Sequence, residues 1–159
     1  MKLDVFVDGA FCDQTGLAAI AYRIRDRITA EVFDEHVCVA STCGYDIHTS
    51  VQTEFAAALC GVDQTPDNSF VYLHTDCVAV CKALLEPNAS GKDRHQKDMG
   101  NELRWSAQER QIILMPIWTN ENDHPLQREC HVAALAYLRQ LREDLYGSQS
   151  HQTATYVGR

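Results

Sequence analysis

Three acids stand where a carboxylate can do chemistry. Asp8 follows Val5-Phe6-Val7 and precedes Gly9-Ala10; Glu54 lies within Gln52-Thr53-Glu54-Phe55-Ala56-Ala57-Ala58-Leu59; Asp76 closes Tyr72-Leu73-His74-Thr75. Each has an ordinary use. Asp-Gly is a turn pair, a glutamate at the edge of an apolar helical stripe can reach water, and an aspartate after a strand caps the next helix. As a set they read differently. Two acids at the C-terminal ends of strands and one on a helix can converge on one edge of a sheet, where ligands gather in such folds. An ionised acid beside a buried stripe is costly unless it is paired or binds a metal. Asp4 shares the strand face of Asp8, but four residues at about 3.3 Å each set their Cα atoms about 13 Å apart. They cannot share one metal, and Asp4 is assigned a structural role.

The elements that must position these acids follow from the apolar pattern. Residues 2–9 alternate as a strand, with Leu3, Val5 and Val7 on one face and Asp4, Phe6 and Asp8 on the other. Asp13-Gln14-Thr15-Gly16 supplies a turn, residues 17–24 a second strand and residues 29–40 a third, which makes an antiparallel meander. A helix is predicted over 51–61, from Val51, Phe55, Ala58 and Val62 at helical spacing, with Thr49 or Ser50 as its N-cap. Pro66-Asp67-Asn68 breaks the chain before a strand at 69–74, and a short helix at 77–85 stops ahead of Pro87. Residues 86–92 form a loop, 94–109 a polar helix, and Ile112–Trp118 the last strand, where Pro116 suits an edge position. A final helix runs from near Leu126 to about Tyr146, with Ala134, Leu138, Leu141 and Leu145 as its stripe and Gly147 as its stop. The expected organisation is one domain, 1–147, and a flexible tail, 148–159. The fold class is α/β: a five-stranded mixed sheet, three antiparallel strands then two parallel, with helices on both faces.

Composition narrows the function. The chain has 159 residues and is 45% hydrophobic, enough for one real core. Its net charge is −8, from 22 acids against 14 bases, which opposes tight general binding to polyanions, because phosphate contacts need Lys and Arg. Nucleic acid as a transient substrate remains open. No apolar run approaches the roughly 18 residues of a membrane span, and Met1-Lys2-Leu3-Asp4 does not read as a secretory leader, so the expected location is cytoplasmic, with no membrane partner. The seven cysteines, at 12, 38, 43, 60, 77, 81 and 130, include no CxxC pair, which excludes a zinc ribbon. Cys77 and Cys81 would share a helix face. All seven are expected to be reduced and mostly buried small hydrophobes.

The motifs resemble a known family. Asp8-Gly9-Ala10 ahead of a meander resembles the first-strand signature of type 1 ribonuclease H, and Thr53-Glu54-Phe55-Ala56-Ala57 its glutamate helix. Thr75-Asp76-Cys77 resembles its Thr-Asp-Ser strand end. His124-Pro125, followed by Arg128-Glu129-Cys130-His131 and an alanine-rich helix, resembles the last motif of the bacterial enzymes. The resemblance spans about residues 2–145 and implies a ribonuclease H-like fold. It implies a metal-dependent endonuclease that hydrolyses the RNA strand of RNA–DNA hybrids, leaving 5′-phosphate and 3′-hydroxyl ends. Two ions of Mg²⁺ or Mn²⁺, about 4 Å apart, would serve. Asp8 would bridge them, Glu54 and Asp76 would complete one side, and His131 would hold the other. The family normally carries Asp where His131 stands; imidazole suits Mn²⁺ better than Mg²⁺, and some Holliday-junction resolvases of the superfamily use histidine there. The competing assignment for His131 is a helix-start histidine bonded to backbone. The position of the family's loop histidine, which aids proton transfer or product release, falls on Glu121, with His124 three residues later; the resemblance leaves open whether Glu121, His124 or neither takes that role. Substrate contacts would come from the backbone at Gly9 and Ala10, from Ser50 and Val51, and from Lys92, Arg94, His95 and Lys97, a small basic patch or simply a solvated loop interrupted by Asp93 and Asp98. Ribose 2′-hydroxyls would distinguish RNA from DNA. The expected partner is the hybrid, and the expected state a monomer. The alternatives are a DNA-directed nuclease resembling a junction resolvase, a non-catalytic nucleic-acid-binding module, and a structural protein whose acids are only caps and turns.

Overall fold

The computed structural model describes residues 1–86, 93–147 and 156–158. β1 (Lys2–Cys12), β2 (Ala18–Asp26) and β3 (Val32–Val39) form the meander, followed by a one-turn 3-10 segment, Ala40–Cys43. Next come α1 (Ser50–Asp63), β4 (Phe70–Thr75), α2 (Val78–Leu85), α3 (Arg94–Glu109), β5 (Ile113–Trp118) and α4 (Pro125–Tyr146). The strand order is β3-β2-β1-β4-β5, antiparallel through β3, β2 and β1 and parallel through β1, β4 and β5. This is the mixed sheet the pattern predicts, and Pro116 lies on an edge strand as expected.

β1 runs on past Gly9 to Cys12, because the hairpin turn is closed by Cys12 N donating to Leu17 O at 2.8 Å, with Gly16 at φ 73°. Asp8 therefore lies inside a strand, opposite Ala21, and does not begin a turn. As the central strand, β1 is buried on both faces. Leu3, Val5 and Val7 join a core with Phe55, Ala56, Ala57 and Ala58 of α1 and Met99 and Leu103 of α3. Phe6 and Ala10 pack with Cys130, Ala134 and Leu138 of α4 on the opposite face. The α4 stripe ends early: Leu145 is 62% exposed and Arg142 is buried. Helical period sets the direction of a stripe and carries no information about where the supporting strands stop.

The tail departs from expectation in part. Residues 148–155 and 159 lie outside the described residues, whereas Tyr156–Gly158 forms β6, antiparallel to β1 at Ala10–Cys12. The reason is an open edge. β4 pairs with β1 only from Lys2 to Phe6, so beyond that point β1 offers backbone donors and acceptors to another strand. Among the described residues no helix is long and apolar enough to cross a membrane.

Candidate metal centre

Parallel register delivers two of the three acids. Phe6 of β1 faces His74 of β4, so Asp8 and Asp76, each two residues further on, come off the two strands side by side. The third acid arrives on α1, which is pressed against β1 at two glycines. A Cβ at Gly9 would lie 2.6 Å from Thr53 Cγ2 and 3.1 Å from Glu54 Oε1, and one at Gly61 would lie 2.8 Å from Val7 Cγ1. Gly9 is thus required by the approach of the helix, a packing role distinct from the substrate approach inferred from sequence. Thr49 begins α1, its hydroxyl accepting from Gln52 N at 3.1 Å. Gln52 Nε2 in turn donates to Asp93 Oδ2 at 3.2 Å and ties α1 to the N-cap of α3.

One carboxylate oxygen from each of Asp8, Glu54 and Asp76 lies within 4.8 Å of the others. Their exposures are 1%, 0% and 7%, so the cluster cannot shed its repulsion to water. Burial, followed by the charges of Asp8 and Asp76, pushes the Glu54 carboxyl well above its ordinary range. Gly9 N donates to Asp8 Oδ1 at 2.9 Å and to Glu54 Oε1 at 3.0 Å. Glu54 Oε2 is buried and accepts no hydrogen bond. Asp76 is not spent on capping: the N-cap of α2 is Cys77, with no side-chain bond. Thr75 Oγ1 accepts from Cys77 N at 3.1 Å and Trp118 Nε1 donates to Asp76 O at 3.1 Å, which shapes the strand end. Three buried carboxylates, one with an orphaned oxygen, suit a hard divalent cation.

His131 reaches the edge of this cluster from α4. Its Nδ1 lies 2.8 Å from Asp8 Oδ2 and its Nε2 lies 2.9 Å from Glu121 Oε2. Both ring nitrogens therefore face carboxylates, and the backbone-bonded alternative is not what these contacts describe. Glu121, at the family's loop-histidine position, holds His131. His124 is the N-cap of α4, its Nδ1 accepting from Leu126 N at 3.1 Å, and its ring stacks on Phe6 at 4.5 Å. Ser50 and Val51 open α1 half-buried, and Arg94 and Lys97 are exposed on the first turn of α3; Lys92 lies outside the described residues. Ala10 is fully buried and paired with Ala19 on β2 and Gly158 on β6. Two supporting residues are not among those the sequence singles out. Gln127 is fully buried and donates from Nε2 to Val7 O at 2.7 Å, beside Asp8; its place four residues before His131, on the same helix face, was the available signal. Trp118 had only its place at a strand end.

No protein-family model matches the chain, and no curated protein matches it. Solved structures do match. Ribonuclease H1 of the halophilic archaeon Halobacterium salinarum superposes with a TM-score of 0.68 at 16% identity, over 86% of this chain and 99% of that one. The N-terminal ribonuclease H domain of a Mycobacterium tuberculosis protein gives 0.62 at 13% identity, over 82% and 95%. A ribonuclease H1 isolated from compost by a metagenomic approach, in complex with an RNA/DNA hybrid, gives 0.61 at 14% identity, over 86% and 99%. The chain has the ribonuclease H-like fold.

Proposed function

On this fold, we propose that the chain is a metal-dependent endonuclease that hydrolyses the RNA strand of RNA–DNA hybrids and works as a monomer. One observation carries the reading: three buried carboxylates converge from within β1, from the end of β4 and from α1, with Glu54 Oε2 left without a donor. The hybrid is favoured as substrate because a structure of the same fold binds one.

Asp8, Glu54 and Asp76 would hold Mg²⁺ or Mn²⁺, with His131 as the further ligand. When bound, such ions lower the pKa of the attacking water and stabilise the leaving oxygen. The chain's own residues prepare that chemistry. Gly9 N fixes the Asp8 and Glu54 carboxylates by direct hydrogen bonds. Gln127 pins the Val7 carbonyl and so the backbone leading into Asp8. Glu121 orients His131, and His131 orients Asp8. For His131 to take a metal directly, a ring nitrogen must give up Asp8 or Glu121; until then it acts on the centre through Asp8. Arg94 and Lys97 would meet phosphates, while Ser50 would meet the minor groove.

The test is cleavage of labelled RNA–DNA, RNA–RNA and DNA–DNA duplexes with Mn²⁺ and with chelator. Cleavage of the hybrid alone, lost on chelation, is the expected result. Preferential cleavage of DNA duplexes would assign the centre to a DNA-directed nuclease, and binding without cleavage would make it a recognition module.

A further inference from the structure

The sheet face that α4 crosses is half covered. α4 packs on β1, β2 and β3, whereas on the same face of β5 Ile113 and Met115 are 59% and 42% exposed. Register sets the side chains of this open part in rows. Lys2, Phe70 and Ile113 stand side by side, and so do Asp4, Tyr72 and Met115, with Arg25 of β2 opposite Asp4. Partners in register project from the same face of a sheet, here the face of Phe6 and not that of Leu3 and Val5. Phe70 and Tyr72 are half-buried, and Lys2 is exposed.

Aromatic and cationic groups interleave on it. The rings of Phe70 and Tyr72 lie 4.9 Å apart at 34°. The Arg27 guanidinium lies over the Tyr72 ring, 3.7 Å from its centroid. Arg27 Nη1 donates to Asp4 Oδ1 at 2.7 Å and its backbone N to Lys2 O at 3.0 Å, so the cation is fixed on the ring by partners of the chain itself. Arg25 and Arg27 share the carboxylate of Asp4, and Lys2 stands in the next row. Asp26, between the two arginines in sequence, is in register with Leu3 on the opposite face and accepts from Ile28 N and Thr29 N. A chain of net charge −8 thus holds a local positive excess on this face.

We propose that this face binds a single strand of nucleic acid, apart from the carboxylate centre. Unpaired bases stack on aromatic rings and on guanidinium planes. Arg27 on Tyr72 offers such a plane, and Phe70 offers the neighbouring ring. Phosphates of the same strand meet Lys2 and Arg25, the charges that a polyanion needs. Ile113 and Met115 extend the apolar floor toward the sheet edge at β5. A duplex keeps its base faces inside its own stack, so the ligand is the unpaired strand. The side chains stand in place for this without rearrangement.

The test is fluorescence anisotropy of short labelled oligo(dT) and oligo(U) with the whole chain in chelator, where no metal-dependent cleavage intervenes. A blunt RNA–DNA hybrid of the same length serves as competitor. The expected result is binding of both single strands, more tightly than the hybrid and weakened by salt. Arg27→Ala removes the stacking plane and should weaken binding about fivefold or more. Lys2→Ala should reduce the slope of log affinity against log salt by about 0.7, the value for one phosphate contact on a single strand. Met115→Asp sets a carboxylate on the exposed floor and should weaken binding as much as Arg27→Ala; it keeps the proposal falsifiable should Arg27→Ala fail to fold. No binding of either strand by the wild type overturns the proposal, and self-association that Met115→Asp abolishes would then give the face to a second copy of the chain. Full affinity in folded Arg27→Ala or Met115→Asp overturns it too, as does tighter binding of the hybrid than of the strands. None of these outcomes bears on the nuclease reading, which rests on other residues and on cleavage.

Discussion

Asp4 and Asp8 lie on the same face of β1, four residues apart, and each is 1% exposed. Their surroundings are opposite. Asp4 accepts from Arg25 Nε at 3.0 Å and Arg27 Nη1 at 2.7 Å, and pairs with His74 Nε2 at 2.9 Å. Burial alone would push its carboxyl up, but hydrogen bonds from His74 and Arg25 and the charges of His74 and Arg27 hold it below the ordinary value of 3.8. Asp8 sits instead with Glu54 and Asp76. The difference teaches that a buried aspartate is not by itself a mark of function. The sign of what surrounds it decides: a neutralised acid is part of the scaffold, and an acid among acids is one that could hold a cation.

The comparison breaks most visibly through cleavage. Asp8→Asn or Asp76→Asn should lower single-turnover hydrolysis of the hybrid at least about 1,000-fold, the effect of removing several kcal/mol of metal-assisted stabilisation, with the thermal midpoint held or raised. Turnover near wild type in either variant means that the centre is misassigned. Asp4→Asn should do the reverse. Removing one partner of a buried ionic cluster costs about 3–5 kcal/mol, read as a lower urea midpoint, while the folded fraction keeps its cleavage rate. Loss of cleavage at unchanged stability would erase the distinction between the two acids.

The pH dependence sharpens it. Asp4, with a depressed value, contributes stability that is present above its ordinary 3.8 and lost as pH falls through its lower folded value. His74 is held below 6.5 chiefly by burial, so stability also declines as pH falls from 6.5 and the unfolded chain takes up the proton first. Glu54 runs the other way. Its value is raised above 4.5, so the metal-free protein gains stability as pH falls through that raised value, until the gain is complete near 4.5. Glu54→Gln should therefore raise the metal-free midpoint near neutral pH, by about 2–4 °C for each kcal/mol relieved, and should abolish the rise that Mn²⁺ gives the wild type. A midpoint that falls, or a Mn²⁺ response that persists, would place Glu54 outside the centre.

The smallest effect is expected at His131, which acts from the side. His131→Asp should shift activation toward Mg²⁺ by about tenfold in the concentration required, since a carboxylate suits the harder ion. His131→Ala should leave partial activity at high Mn²⁺. Identical Mg²⁺ and Mn²⁺ activation curves in wild type and both variants would remove His131 from the metal's surroundings.

The parts of this picture legible in the sequence are those with local causes. Alternation in β1, helical spacing in α1 and the Pro and Gly breaks locate the two strands and the helix that place Asp8, Asp76 and Glu54, although β1 runs on past Asp8 to Cys12. What escaped depends on partners far apart in sequence. Asp4 meets Arg25, Arg27 and His74 across the sheet, so its isolation from metal was legible from distance along the strand, but its neutralisation was not. The pairing of His131 with Glu121 joins a loop to a helix whose relative placement no periodicity encodes. Gly9 was recognisable as a place of close approach, although the approaching group is α1. The strand at Tyr156–Gly158 depends on an edge of β1 that exists only because β4 ends early.

The Gly9 amide links Asp8 Oδ1 and Glu54 Oε1 in one bifurcated hydrogen bond. Its proton consequently feels the charge of both carboxylates at once, and hydrogen-bonded amide protons move in frequency as the acceptor's charge is withdrawn. In a ¹⁵N-labelled sample, this single glycine resonance becomes a spectroscopic gauge of the centre. It reads the charge state of the acids and the arrival of a diamagnetic cation from inside the strand, with no substrate and no label added to the site.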